Sequence, residues 1–78
     1  MDLRERFATN LRRLRNDKGW SQDDLALKAK ISRSYLSQLE KGVYYVSIKV
    51  IGRLAEKLDV EPEEFLKRPT KRIRTKSG

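Results

Sequence analysis

The chain has no cysteine and no histidine. No disulfide can staple it, and any metal site would have to be assembled from carboxylates, so neither a resident metal nor another cofactor is expected. The same absences remove the commonest nucleophile and general base. With no glycine-rich phosphate loop and no paired carboxylates in an evident cleft, the residue content argues against an enzyme. No apolar run approaches the roughly 20 residues of a membrane span. The opening MDLRERF is charged where a signal peptide would be apolar, which makes the cytoplasm the expected compartment. A chain of 78 residues has room for one domain with a small core, to whose stability a second copy or a partner can contribute.

Positive charge is abundant, and its placement matters more than its sum. Nineteen basic residues against eleven acidic ones give a formal charge of +8. Lys67, Arg68, Lys71, Arg72, Arg74 and Lys76 follow one another at the C-terminal end with no acid among them, so they carry three quarters of that excess. Just before them Glu56, Asp59, Glu61, Glu63 and Glu64 are opposed only by Lys57. The body is therefore polarised, with a basic front and an acidic rear, a pattern that suits a polyanionic partner such as nucleic acid.

The most informative stretch is QDDLALKAKISRSYLSQLEKG, residues 22–42. Leu25, Ala26 and Ala29 share one helical face, and Ser21 with Asp24 three residues later makes a capping box, so a helix is expected from Gln22. The register breaks at Lys30, and Ser32 offers a second N-cap oxygen. A second helix is expected from about Arg33 to Lys41, pinned inward by Leu36 and Leu39 and stopped by Gly42. Arg33, Ser34, Ser37, Gln38 and Lys41 are left on its outer face. Ser and Gln are middling helix formers, but they donate and accept along base edges in a major groove. An ordinary amphipathic helix with a polar back is the alternative.

Gln22, Leu25, Ala26, Ala29, Ile31, Ser32 and the run Tyr35 to Gly42 resemble the helix-turn-helix of Cro/cI-type (XRE-family) bacterial and phage repressors. The resemblance extends through Leu11 to Gly19 and Ser47 to Leu66, nearly all of the chain except the tail. It implies an all-α fold of five helices, lambda-repressor-like, with a DNA-binding domain over 1–67, its motif at 22–41, and a basic tail over 68–78 expected to be disordered. It also implies that Arg33, Ser34, Gln38 and, as a fourth, Ser37 reach base edges, that Gln22 touches a phosphate, and that Arg15 pairs with Glu40. Among relatives the small controller proteins of restriction-modification systems come nearest, notably in Arg33-Ser34-Tyr35, Val46-Ser47 and Glu61-Pro62. Compact phage repressors and antitoxin-type autoregulators stay open. Two departures stand out: Lys30 occupies the turn position where the family usually has Gly, and Val46 stands where a proline is common.

Elsewhere Leu3, Phe7, Leu11 and Leu14 mark one stripe of a first helix ending near Gly19. Arg4, Arg6, Arg12, Arg13 and Lys18 are expected to face mostly solvent. Trp20, just ahead of the cap, is placed to staple onto Leu25. Tyr35 either covers the core edge or sends its hydroxyl to a phosphate. Lys41 and Tyr44 are further phosphate candidates, and the loop Val43 to Val46 has room for a two-residue strand. Ile48, Ile51, Leu54, Ala55 and Leu58 fit the inner face of a fourth helix, leaving Val50 as a candidate subunit contact. Pro62 is expected to open a short last helix. In relatives that helix builds the dimer interface, so Phe65 and Leu66 are expected to be shared between core and interface. The tail is either a DNA arm or a solubilising extension.

The expected function is sequence-specific binding of double-stranded DNA by a homodimer on an inverted repeat, regulating transcription by occupancy. The alternative is a protein-interaction adaptor on the same fold, using the Val43 to Val46 loop and the acidic rear and binding DNA only non-specifically.

Overall fold

The computed structural model describes residues 2–69. Of the tail expected from 68 onward, all but Arg68 and Pro69 lies outside the described residues. Four α-helices follow one another: α1 (Leu3–Asp17), α2 (Gln22–Ala29), α3 (Arg33–Glu40) and α4 (Ile48–Leu58). A single 3-10 turn, Pro62–Leu66, closes the described chain. No described helix is long and apolar enough to cross a membrane.

Each α-helix starts on a side-chain cap. Asp2 accepts from the Arg4 amide, Ser32 from that of Tyr35 and Ser47 from that of Val50, while Ser21 and Asp24 form the reciprocal capping box. Each also ends in the same way. The amide two residues past the last turn reaches back five residues, Trp20 to Arg15, Ile31 to Ala26, Val43 to Gln38 and Val60 to Ala55. That closure requires a left-handed residue in between. Gly19 and Gly42 supply it at φ 74° and 75°, but Lys30 and Asp59 adopt it too, at 60° and 59°. The strained form of the turn is therefore the one realised at Lys30.

α1 packs on α3 and on the 3-10 turn, and α2 packs on α3 and α4. Their shared core holds Phe7, Leu11, Leu14, Leu25, Ala26, Ala29, Leu36, Leu39, Leu54, Ala55, Leu58 and Phe65. One polar side chain sits fully inside it. Asn10, on the same stripe as Phe7, Leu11 and Leu14, donates to the Phe65 carbonyl at 2.8 Å and the Lys67 carbonyl at 2.9 Å.

Several expectations are corrected. The fifth helix is a five-residue 3-10 turn, because Asn10 takes up carbonyls at its end and Lys67 is already extended. No strand occurs among the described residues, the Val43 to Val46 loop included. α3 ends at Glu40, with Lys41 as its cap. Leu3 is exposed at the first residue of α1, ahead of the core. Ile48 is 83% exposed whereas Val50 is half-buried against the core. At the first turn of α4 Ile48 borders the 3-10 turn instead of the core, while the half-buried Ile51 packs against the core and, with Ile48, Pro62 and Leu66, lines an apolar groove beside that turn. Trp20 packs on the core edge, with the Lys28 ammonium 4.8 Å and the Lys18 ammonium 5.9 Å from its ring centre.

Candidate nucleic-acid interface

Leu36 and Leu39 are wholly buried, which turns the opposite side of α3 outward. Arg33, Ser34 and Lys41 are exposed there, and Ser37 and Gln38 are half-exposed. These five recur with the helical period, so one polar strip about two turns long faces solvent. It offers hydroxyl, amide, guanidinium and ammonium groups, with no carboxylate of α3 among them.

Glu40, the only acid of α3, is turned the other way. Its carboxylate is 3% exposed and meets Arg15 edge to edge, Nε to Oε2 at 2.7 Å and Nη2 to Oε1 at 2.9 Å. Arg15 also donates from Nη1 to the Trp20 carbonyl at 2.8 Å. The hydrogen bond to Glu40 outweighs desolvation and pushes the Arg15 guanidinium above its usual value, so Arg15 keeps its charge. Arg12 donates to the backbone carbonyl of Glu40. The first helix thus grips the end of α3 through two arginines.

Gln22 extends this network outward. Its Nε2 donates to Glu40 Oε1 at 3.1 Å, and its Oε1 accepts from Arg33 Nε at 3.3 Å. The Arg33 Nη1 lies 3.6 Å from Asp23 Oδ1. A line of contacts therefore runs from Arg15 in α1 through Glu40 and Gln22 to Arg33 and Asp23. It brings the N-terminal ends of α2 and α3 together, where free backbone donors and helix dipoles favour anions. The capping box beneath them is secure, since the Ser21 amide and then its hydroxyl hold the Asp24 carboxyl below its usual range.

The aromatic loop flanks this face. Tyr35 is half-buried and its ring lies 6.3 Å from that of the half-exposed Tyr44 at a tilt of 37°. Tyr45 is 73% exposed and carries the Arg4 guanidinium 4.6 Å from its ring centre. Arg4 also pairs with Asp2 and donates to the Val43 carbonyl, anchoring the loop to the start of α1.

The residues expected at a subunit contact do not form one surface. Phe65 is fully buried, its ring centre 5.0 Å from that of Phe7, so no part of it is free to touch a second subunit. Val50 leans on the core, and Leu66 alone of the three is well exposed, at 44%. Sequence reasoning overlooked Asp23, Asn10 and the packing of Arg12. Asn10 was legible as a polar residue on an apolar stripe. Asp23 carried no signal beyond an acid in a first helical turn, because its partner lies on another helix.

Comparison with known proteins agrees with this geometry. A helix-turn-helix family matches residues 11–65. The chain is 34% identical over 73 residues to a Neisseria meningitidis protein described as a hypothetical transcription factor, covering 94% of this chain and 69% of that one. It is 32% identical over 66 residues to the control protein C.BamHI of Bacillus amyloliquefaciens, covering 83% and 82%. The crystal structure of the restriction-modification controller protein C.AhdI from Aeromonas hydrophila superposes with a TM-score of 0.77 at 42% identity, covering 80% of this chain and 94% of that one.

Proposed function

The chain belongs to the XRE-type helix-turn-helix family of DNA-binding transcription regulators, and on that premise we propose that it binds an inverted-repeat operator as a homodimer. Each α3 lies in the major groove of one half-site, the two half-sites about one helical turn, roughly 34 Å, apart. Arg33 reads guanine through paired donors, Gln38 reads adenine, and Ser34 and Ser37 supply adaptable contacts. Phosphates are met by the second amide N–H of Gln22, by Lys41 and by the Tyr35 and Tyr44 hydroxyls, which set the depth of entry without reading sequence.

The single observation that carries this reading is the line from Arg15 through Glu40 and Gln22 to Arg33. A buried ion pair is spent on orienting an exposed guanidinium at the tip of an otherwise polar helix. The apolar groove of Ile48, Ile51, Pro62 and Leu66 supports a second copy as the occupant, with Leu66 common to the expected interface and this one. We infer control by concentration through dimerisation, in the cytoplasm and as a restriction-modification controller or a similar autoregulator, a reading supported by the likeness to the controller proteins C.AhdI and C.BamHI.

Selection of bound duplexes from a randomised pool at physiological salt, followed by sequencing, tests the reading. An enriched inverted repeat supports it. A folded protein that enriches nothing would turn the assignment towards the adaptor, with the exposed Val43, Tyr44 and Tyr45 as its contact surface.

A further inference from the structure

Arg33 opens α3 with a largely exposed guanidinium, yet it is not free. Its Nε donates to Gln22 Oε1, and its Nη1 stands 3.6 Å from the Asp23 carboxylate, with the two side chains 59% and 75% exposed. An acid at this place is unexpected in a surface that has to approach a polyanion.

Resting on the DNA-binding reading above, we propose that Asp23 is a specificity-determining residue: its carboxylate keeps the Arg33 guanidinium from being captured by phosphates while leaving it free to bond a neutral guanine edge. The argument is one of charge and donor count. A guanidinium has five N–H groups. Nε–H is engaged by Gln22, and Asp23, with its Oδ1 3.6 Å from Nη1, takes at most one Nη1 hydrogen. That leaves both hydrogens of Nη2 and one of Nη1, enough for the two acceptors O6 and N7 of guanine. A phosphate approaching the same donors meets the Asp23 charge a few ångströms away and is repelled. A guanine edge carries no net charge and meets no such opposition. Asp23 therefore lowers the affinity of Arg33 for backbone, which is shared by all sequences, more than its affinity for the correct base.

Gln22 and Asp23 act on Arg33 from adjacent positions of the same helical turn. Gln22 fixes the near end of the guanidinium through a hydrogen bond, and Asp23 tunes the charge seen at the far end. Asp23 is a positioning residue in this sense, acting on DNA through Arg33. A purely local role for Asp23, as a favourable charge in the first turn of α2, would affect folding stability alone.

The experiment uses the full chain and two duplexes, one enriched from a randomised pool by the unmodified protein and one of scrambled sequence. Dissociation constants are measured for the unmodified protein, Asp23→Asn, Arg33→Ala and the double variant across a range of salt. Asp23→Asn is expected to tighten scrambled-duplex binding by about three- to fivefold, the scale of an exposed ion pair, while cognate binding changes by less than about twofold. The salt dependence on scrambled DNA is expected to steepen by up to about one phosphate equivalent. In the Arg33→Ala background the same substitution is expected to leave the cognate-to-scrambled ratio unmoved. Equal tightening on both duplexes, or a ratio that falls just as far without Arg33, would overturn the proposal, since Asp23 would then act only as a diffuse charge. A protein that never distinguishes the two duplexes would overturn the DNA-reading assignment itself and this proposal with it.

Discussion

Gln22 meets Glu40 through its amide nitrogen, at 3.1 Å. A carboxylate only accepts, so this contact dictates which way round the amide lies and leaves the Gln22 oxygen turned onto Arg33. The buried end of α3 thereby sets the chemical character of a group at the surface.

This relationship changes what is expected of Gln22. From the sequence it is a phosphate contact whose loss weakens all DNA alike, but in the structure it also holds a base reader. Gln22→Ala is expected to cost about 1 kcal/mol on cognate DNA and less than half of that on scrambled DNA. Arg33→Ala and Gln38→Ala are each expected to cost about 1–3 kcal/mol and to relax base preference at one position of each half-site. Gel-shift titrations against single-base operator variants distinguish the three.

Arg15 and Glu40 should be worth more to folding as a pair than either is alone. Glu40→Ala or Arg15→Ala leaves a charge without its partner in a largely buried place, with an expected loss of about 3 kcal/mol. The double change Arg15→Met with Glu40→Leu is expected to recover most of it. Urea unfolding followed by circular dichroism gives all of the values, and a double variant as unstable as the singles would contradict the account.

Ile48 and Phe65 should behave as opposites. Ile48→Glu changes a side chain that is 83% exposed and is expected to leave the melting temperature of dilute protein nearly unchanged while abolishing dimers in sedimentation equilibrium. Phe65→Ala empties the centre of the core and is expected to cost about 3–5 kcal/mol. A monomeric Phe65→Ala protein of normal stability would return Phe65 to the interface.

Lys30 offers a gain. Its left-handed backbone at φ 60° carries a penalty that glycine avoids, so Lys30→Gly is expected to stabilise the domain by about 0.5–1 kcal/mol, a rise in Tm of a few degrees. Asp59→Gly should give less, because aspartate tolerates that region better. Thermal melts compare the two directly.

Acid should weaken the fold in a defined window. Asp2, Asp24 and Glu64 are each held below the ordinary carboxyl value, by Arg4, by the Ser21 amide and hydroxyl, and by Lys67 respectively. A carboxyl depressed in the folded state contributes stability that is fully present above its unfolded value, about 4, and is lost as pH falls through the lower folded value. Melting temperature is expected to be flat from pH 7 to about 5 with respect to these groups and to fall below about pH 4. In Asp24→Asn the fall should be shallower.

Much of the fold could be read along the chain. The caps Ser21, Ser32 and Ser47, the stops Gly19 and Gly42 and the apolar periodicity of α1 to α3 are local chemistry, written within a few residues of where they act. The outer strip of α3 was legible for the same reason, since Leu36 and Leu39 fix which side is left over. Where the pattern misled, the cause was packing between distant segments. Ile48 has the spacing of a core residue, but the 3-10 turn, not the core, lies beside it. Val50 breaks that spacing and is half-buried all the same.

Amino-acid order alone was sufficient to specify the four α-helices, the serine caps and glycine stops of the helix-turn-helix and a polar helix face suited to base edges, because each depends on neighbours within one or two turns. The fifth helix it also implied is only a 3-10 turn. Whether Arg33 stands free or is held, which way the Gln22 amide lies, and whether Phe65 belongs to the core or to a partner depend on contacts between residues far apart in sequence. The three-dimensional packing decided those, since hydrogen-bond direction, burial and charge pairing exist only once the helices have met.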